Sequence, residues 1–260
     1  MHTVSLSDTV EITATPSDKT DIELSCEPSE LLIEDEDNLV VRAARKYLSR
    51  IGAEARLVIT LRKNIPLSAG LAGGSSDAAA TLRALNRIFE HRLSEGELCE
   101  LAATLGSDVP FCLVGGTALC CSRGEELTTI DNDTELHLVI AKGKEIISTP
   151  MAYAELDRAF CGFDGAEPHG EEILSELLSS LKKGNTPTAL YNVFESVIEP
   201  MAESISTIKR LMLENGAVAV LMSGSGPSVF GIFEEKTPRT TAVTALRRSG
   251  YFAVEADSVI

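Results

Sequence analysis

The segment of this sequence that is best suited to chemistry is rich in glycine and serine. It reads Pro66-Leu67-Ser68-Ala69-Gly70-Leu71-Ala72-Gly73-Gly74-Ser75-Ser76. Glycines let a backbone approach a polyanion closely, and the free amides at the start of a following helix donate toward it. No Lys-Ser/Thr pair follows Gly74, so this is not a Walker A loop, and it is not a GxGxxG motif either. We predict a phosphate-binding loop; a purely structural glycine turn is the alternative.

Polar side chains beside this loop could take part in the same chemistry. The hydroxyls of Ser75 and Ser76 could bind phosphate oxygens or help to hold Mg²⁺, although they could also simply cap the helix. Asp77 is a further candidate for Mg²⁺, by proximity only. Asp108 follows a predicted helix end and precedes an apolar run, where a carboxylate could accept a proton from a substrate hydroxyl. A lone Asp at such a turn is more often a cap.

A second glycine-rich turn, Ser223-Gly224-Ser225-Gly226-Pro227, lies between two apolar segments. Two residues would suffice for a hairpin, so the longer turn indicates either a backbone that approaches another group or a bulged hairpin. The histidines show no metal-binding or catalytic spacing, and we assign them to the surface or the core: His2, His91, His137 and His169.

The hydrophobic pattern predicts the elements that position these residues. Strands are expected at residues 3–13, 22–26, 56–61, 136–141, 217–222 and 229–233, and from residue 251. Helices are expected at residues 39–50, 78–86, 98–105, 200–215 and 240–249, with Asp37-Asn38 capping the first and a Ser94–Glu97 capping box before the third. Two short apolar segments flank a turn within residues 109–121. A change in character near residue 145 predicts domains at 1–144 and 145–260.

Composition narrows the class of protein. The chain has 260 residues, 44% of them hydrophobic, and a formal net charge of −16, which would repel a nucleic-acid backbone. Its six cysteines form no CxxC pair, so we expect reduced thiols rather than a disulfide or zinc framework. No signal peptide or membrane-length apolar run is present, so we expect a cytoplasmic protein.

Several motifs together resemble the GHMP kinase superfamily and, within it, the 4-diphosphocytidyl-2-C-methyl-D-erythritol kinases, over essentially the whole chain. The matching stretches are Lys63-Asn64-Ile65-Pro66, Gly70 to Ala79, Leu85-Asn86, Gly106-Ser107-Asp108-Val109-Pro110-Phe111, Gly115-Gly116-Thr117-Ala118, Asn192-Val193-Phe194-Glu195 and Ser223-Gly224-Ser225-Gly226-Pro227. The resemblance implies an α+β fold with two lobes, a ribosomal-S5-like N-terminal lobe and a ferredoxin-like α/β sandwich.

The same resemblance implies a reaction, in which the γ-phosphate of ATP passes to the 2-hydroxyl of diphosphocytidyl methylerythritol in the non-mevalonate isoprenoid pathway. It implies Asp108 as the catalytic, base-like residue and ATP as the cofactor. Phosphoryl transfer to an alcohol needs charge neutralisation on the β- and γ-phosphates, so we also expect Mg²⁺. We expect a monomer or homodimer without nucleic-acid or membrane partners. The implied ATP-binding residues are Pro66, Ala69, Gly70, Leu71, Ala72, Gly73, Gly74, Ser75 and Ser76, with Asn38 near the adenine. Ser223, Gly224, Ser225 and Gly226 are implied to close the site from the second lobe.

Departures from the family pattern leave alternatives open. The family opens with Ala-Lys-Ile-Asn-Leu and Asp-Gly-Tyr-His motifs, neither of which occurs here, so the family's catalytic lysine has no counterpart. A misassigned start, a trimmed chain or a true short form would each explain this. Ala72 and Ser122 stand where many members have glycine. Another GHMP kinase, of the homoserine or mevalonate type, and a catalytically inactive nucleotide-binding relative remain as alternatives.

Overall fold

A computed structural model describes residues 1–28, 37–131, 134–160 and 170–259. The chain forms two compact units. The first contains Met1–Leu67 and Ala72–Ile130, and the second contains Ser68–Leu71 and Asp131–Ile260. The division after Ile130 comes earlier than the boundary predicted near residue 145, because the strand at His137–Lys142 pairs within the sheet of the second unit.

The sheet of the first unit has the strand order β1-β3-β2. These strands are β1 (Thr9–Pro16), β2 (Asp21–Glu27) and β3 (Ala55–Arg62). The central strand β3 runs antiparallel to β1 and parallel to β2, and its alternate residues face the core. The strands predicted at 22–26 and 56–61 are therefore confirmed. The predicted strand at 3–13 is wrong in extent, since β1 begins at Thr9 and His2 instead bridges to Thr117.

Helices cover this sheet, and a hairpin follows them. The helices are α1 (Leu39–Ile51), α2 (Gly73–Ile88), α3 (Glu95–Ala103) and α4 (Val109–Val114); the hairpin strands are β4 (Ala118–Cys121) and β5 (Glu126–Thr129). Of the predicted pair Asp37-Asn38, it is Asn38 that caps α1, and the predicted Ser94–Glu97 capping box is confirmed. The first apolar segment predicted within 109–121 is a short helix, whose first turn accommodates Pro110.

Buried side-chain hydrogen bonds fix α2 against α1. The Tyr47 hydroxyl donates to Asn86 Oδ1 at 3.0 Å, and that oxygen also accepts from the Leu93 amide at 3.0 Å. The Asn86 Nδ2 group donates to the Leu93 carbonyl at 2.9 Å. Because these buried polar groups are paired, α2 has a defined position against α1.

The sheet of the second unit is antiparallel, with the strand order β7-β8-β6-β9. Its strands are β6 (His137–Lys142), β7 (Ala219–Met222), β8 (Val229–Phe233) and β9 (Phe252–Asp257). The helices are α5 (Thr149–Ala159), α6 (Gly170–Lys182), α7 (Glu195–Ile198), α8 (Glu203–Glu214) and α9 (Lys236–Arg248), with a 3₁₀ turn at Glu199–Met201. The helix predicted at 200–215 starts three residues later because that turn precedes it.

Helices α8 and α9 pack on the sheet of the second unit, so the predicted α+β class is confirmed. Their buried residues include Ile205, Ile208 and Leu246, which meet Val139 and Phe233 of the sheet in one apolar core. Within the described ranges, every helix is too short or too polar to cross a bilayer.

Candidate active site

The start of α2 offers backbone donors without a side-chain cap. Ala72 holds the N-cap position in the left-handed conformation, with φ of 52°, and has no side chain that could accept from the helix. The Ser76 amide makes the first intrahelical bond, to the Ala72 carbonyl at 2.8 Å. The amides of Gly73, Gly74 and Ser75 precede the first residue with an i−4 partner. They present N–H groups and the positive end of the helix dipole to an anion.

The two serines of this first turn differ in their bonding. The Ser76 hydroxyl donates to the Gly73 carbonyl at 2.7 Å, inside the turn. The Ser75 hydroxyl has no such bond among the described residues. The alternative in which Ser75 and Ser76 cap the helix is therefore wrong, because the helix begins two residues before them. Ser75 is the serine whose hydroxyl is available to a ligand.

The glycines of this turn differ in the space around them. A Cβ on Gly73 would lie 3.1 Å from Ile65 Cγ2 and 3.4 Å from Lys63 Nζ, so even a methyl group there is crowded. A Cβ on Gly74 would meet only Leu39 Cδ1, at an ordinary 3.5 Å. Gly74 is also exposed. Packing within the first unit therefore explains a glycine at position 73 but not at position 74.

Asn38 lies at the other helix start in this region. Its side-chain oxygen accepts from the Val40 amide at 2.9 Å and so caps α1. The next residue, Leu39, is the neighbour of Gly74 described above, which brings the start of α1 beside the start of α2. The capping bond gives Asn38 a structural role at the start of α1.

A buried charge cluster joins residues on either side of the glycine-rich segment, and the sequence alone did not predict it. The Lys63 ammonium pairs with Asp8 and, at 2.7 Å, with Asp77; the three side chains are 3%, 2% and 5% exposed. Asp8 also accepts from the amides of Asn64 at 2.6 Å and Ile65 at 2.8 Å. Burial, opposed by Lys63 and reinforced by Asp8, raises the pKa of Asp77 to about 6. Asp77 is thus committed to this cluster, which argues against its suggested role as a Mg²⁺ ligand.

Asp108 occupies the N-cap position of α4 but does not cap it. Its side chain accepts no bond from the helix, and within the described residues its carboxylate has no hydrogen-bond or ion-pair partner. The side chain is half-buried, and this burial raises the pKa of Asp108. Helix α4 packs against α2. Burial and the nearby carboxylates of Asp108 and Asp77 raise the pKa of Cys112 to about 12. The structure therefore favours an uncommitted carboxylate at Asp108 over the capping alternative.

In the second unit, the middle of the glycine segment packs against the second glycine turn. The Ser223 hydroxyl donates to the Gly70 carbonyl at 2.8 Å, and the Ser228 amide donates to the Ala69 carbonyl at 3.3 Å. A side chain on Gly70, whose φ is +68°, would overlap the Ser223 carbonyl. A Cβ on Gly224 would lie 3.1 Å from the Gly70 carbonyl oxygen. Glycine is therefore required on both sides of this contact.

Two residues outside the turn hold it in place. The Asn192 side-chain amide donates to the carbonyls of Met222 and Gly224, each at 2.8 Å. The Glu195 carboxylate accepts from the Met222 amide at 2.6 Å and pairs with Lys209 at 2.7 Å. In the sequence, Asn192 and Glu195 stand out only as part of a family motif, because nothing in their spacing shows which backbone groups they reach.

The predicted site residues are divided between the two units. Asn38, Pro66, Ala72, Gly73, Gly74, Ser75, Ser76 and Asp108 lie in the first unit; Ala69, Gly70, Leu71, Ser223, Gly224, Ser225 and Gly226 lie in the second. Within the second unit, Gly70 contacts the turn formed by Ser223 and its neighbours. Within the first, the start of α2 lies beside the start of α1.

Comparison with known families shows which class of protein has these features. The family described as GHMP kinases N terminal domain matches residues 38–116, and the family described as GHMP kinases C terminal matches residues 171–251. The first match includes the glycine-rich segment and Asp108. The second includes Asn192 and the Ser223–Gly226 turn.

Individual relatives give a narrower match. The 4-diphosphocytidyl-2-C-methyl-D-erythritol kinase of Syntrophus aciditrophicus (strain SB) is 41% identical over 254 residues, which are 98% of this chain and 87% of the relative. The protein of the same name from Bacillus subtilis (strain 168) is 39% identical over 241 residues, covering 92% of this chain and 81% of the relative.

Solved structures agree with these relatives. A crystal structure of 4-(cytidine 5'-diphospho)-2C-methyl-D-erythritol kinase matches with a TM-score of 0.79 at 29% identity, covering 99% of this chain and 88% of that one. Homoserine kinase from Cytophaga hutchinsonii ATCC 33406 has the same TM-score at 20% identity, covering 97% and 86%, which shows a shared fold only. The chain is an ATP-dependent small-molecule kinase of the GHMP type and belongs to the 4-diphosphocytidyl-2-C-methyl-D-erythritol kinase family.

Proposed function

We propose that this chain transfers the γ-phosphate of ATP to the 2-hydroxyl of 4-diphosphocytidyl-2-C-methyl-D-erythritol, in the non-mevalonate route to isoprenoid precursors. The substrate comes from the names of relatives that match nearly the whole chain. The observation within the structure that carries the proposal is the uncapped start of α2, where consecutive amides and the Ser75 hydroxyl are available to an anion. A phosphate group fits that donor set.

ATP phosphates are assigned to the glycine-rich segment. Gly73, Gly74 and Ser75 would bind them through backbone amides, and the Ser75 hydroxyl would add one further donor. Gly70 would contribute backbone held in place by Ser223. Since the chain carries a net charge of −16, such local donors are needed to offset its overall repulsion of a nucleotide.

Asp108 is assigned as the group that accepts the proton of the substrate hydroxyl. During transfer, the hydroxyl oxygen forms a bond to the γ-phosphorus, and the bond from that phosphorus to the β,γ-bridging oxygen breaks, releasing ADP. The hydroxyl proton passes to the Asp108 carboxylate. Among the described residues the Asp108 carboxylate has no partner, which supports this role, because a carboxylate already held by an arginine or a cap would be a weaker base.

The remaining parts of the proposal concern the metal and the setting of the reaction. Among the described residues, no group of three or more His, Cys, Asp or Glu side chains is arranged to hold a metal ion. This fits Mg²⁺ bound mainly through nucleotide phosphates, with the Ser75 hydroxyl at hand. Bound in this way, Mg²⁺ would neutralise charge on the β- and γ-phosphates. We further propose a cytoplasmic monomer or homodimer.

A direct assay separates this proposal from its alternatives. ADP release would be measured with 4-diphosphocytidyl-2-C-methyl-D-erythritol, homoserine or mevalonate as the acceptor, each with ATP and Mg²⁺. We expect ADP release well above background with the first acceptor alone. Turnover of homoserine or mevalonate would assign a different GHMP activity. ATP binding without turnover of any acceptor would support the catalytically inactive relative.

A further inference from the structure

We propose that Lys63 is a positioning residue that closes the base of the phosphate-binding loop by pairing with Asp77. The proposal rests on the assignment of the glycine-rich segment to ATP phosphates. Lys63 lies three residues before the loop and Asp77 immediately follows it, so their 2.7 Å ion pair joins the two ends of the segment. Neither residue is available to touch substrate, since their side chains are 3% and 5% exposed.

The first end of the loop is also held from outside. Asp8 pairs with Lys63 and accepts the amides of Asn64 and Ile65 at 2.6 and 2.8 Å. The Asn64 side chain donates to the Ser7 carbonyl at 2.9 Å. These bonds fix the backbone of the entering stem against the residues just before β1. The Lys63–Asp77 pair is then the link through which that fixed stem determines the position of α2.

The position of Lys63 also explains how the cluster acts on the donors. Its Nζ atom lies 3.4 Å from the place of a Cβ on Gly73, directly against the first turn of α2. Loss of the pair would remove the tie without removing any group that contacts phosphate. A loop whose ends are fixed in advance loses less conformational entropy on binding ATP. The cluster should therefore influence ATP affinity more than the rate of phosphoryl transfer.

Asp77→Leu tests this role, because leucine resembles aspartate in shape and leaves Lys63 paired with Asp8. Calorimetric titration with ATP should show a dissociation constant raised about tenfold or more, as expected when preorganisation is lost. Hydrogen–deuterium exchange of residues 66–76 should become faster. In Asp77→Asn, the amide oxygen can still accept from Lys63, so we expect ATP affinity within about threefold of the original and near-normal exchange.

Arg62→Met is the matched control, since Arg62 is the neighbouring cation but forms exposed ion pairs with Glu11 and Glu27. Its ATP affinity should be unchanged. If Asp77→Leu unfolds, the triple variant Asp8→Asn/Lys63→Met/Asp77→Leu removes the Lys63–Asp77 pair without leaving a buried charge at position 8, and it should fold with the same weakened affinity. The proposal would be overturned if ATP affinity and hydrogen–deuterium exchange were both unchanged in folded Asp77→Leu, or in the backup variant where Asp77→Leu does not fold. Failure of the original chain to bind ATP would instead refute the proposed function.

Discussion

The hydroxyl of Ser223 donates to the carbonyl of Gly70 across 2.8 Å, joining two glycine-rich segments that are far apart in the sequence. Gly70 belongs to the proposed phosphate-binding loop, and Ser223 begins a turn that Asn192 and Glu195 hold in place. The second glycine motif therefore supports the first. A substitution of a residue that holds the turn should therefore lower the affinity for ATP, even without direct contact between that residue and ATP.

Asn192→Ala tests this support. The substitution leaves the carbonyls of Met222 and Gly224 without their side-chain donor, which should lower the free energy of unfolding by about 1–3 kcal/mol. ATP affinity should fall as well, because the turn that holds Gly70 loses its position. Chemical denaturation and ATP titration measure the two effects. Asn215→Ala, which removes a 2.8 Å bond to the Leu211 carbonyl at the end of α8, should lower stability alone.

Gly74→Ala should separate folding from phosphate binding. A methyl group there meets only Leu39 at 3.5 Å, and alanine favours helix over glycine, so stability should be kept or raised by up to about 1 kcal/mol. ATP affinity should nevertheless fall, since the methyl group hinders approach of a phosphate to the first-turn amides. Calorimetric titration with ATP and thermal unfolding measure the two quantities.

Gly96→Ala is the control for this substitution. Gly96 also lies in the first turn of a helix, α3, and a Cβ there would have nothing within 4 Å. It should gain similar stability with no change in ATP affinity. Equal ATP affinity in the two variants would mean that Gly74 is not approached by phosphate.

The two serines of α2 should respond differently to alanine. Ser75→Ala removes a hydroxyl without a partner in the described structure, so stability should change little while kcat/KM for ATP falls about tenfold or more. Ser76→Ala removes the 2.7 Å bond to the Gly73 carbonyl, a local bond whose loss should have a smaller effect on kcat/KM. Steady-state kinetics at varied ATP measures both. A larger loss in Ser76→Ala would reverse the assignment of the ligand-binding hydroxyl.

Asp108→Asn should leave the fold and ATP affinity nearly intact and lower kcat by about 10²–10⁴-fold, as expected for loss of a general base. The side chain makes no capping bond, so the substitution removes no hydrogen bond among the described residues. Single-turnover kinetics and ATP titration give the two values. Near-normal kcat would refute the role of Asp108. Asp18→Asn, an exposed substitution on the same unit, should behave as the original chain.

The pH dependence of the reaction gives a second test of the role of Asp108 as the base. Because burial raises its pKa, the carboxylate takes up a proton at a higher pH than an exposed aspartate does. As a base, it acts when ionised, so activity should fall as the pH drops through this raised pKa. The residual activity of Asp108→Asn should lack that acidic limb.

Local sequence patterns predicted much of the framework. The order of β3, loop and α2 that the structure shows followed from three features of the sequence. These are the alternation in residues 56–61, the glycines, and the helix formers after them. The capping box and the Asn38 cap also followed from residue type and spacing. Such features depend on neighbours in the chain, and for this reason they can be read without knowledge of the fold.

Features that depend on distant pairing were missed. Asp8 meets Lys63 because β1 pairs antiparallel with β3, with Thr9 opposite Arg62, and no local pattern gives that register. The start of β1 was misjudged because residues 3–13 alternate, while residues 1–3 bond instead to residues near Thr117. The bonds from Asn192 to the second glycine turn span about thirty residues and are equally invisible in the sequence.

Phosphorus NMR of the reaction products tests the central claim most directly. The chain would be incubated with ATP, Mg²⁺ and 4-diphosphocytidyl-2-C-methyl-D-erythritol, with Asp108→Asn in parallel. We predict equal amounts of ADP and of a new phosphomonoester coupled to the carbon that bears the 2-hydroxyl, with almost none from the variant. ADP accompanied by inorganic phosphate, or phosphate on another hydroxyl, would contradict the proposed reaction.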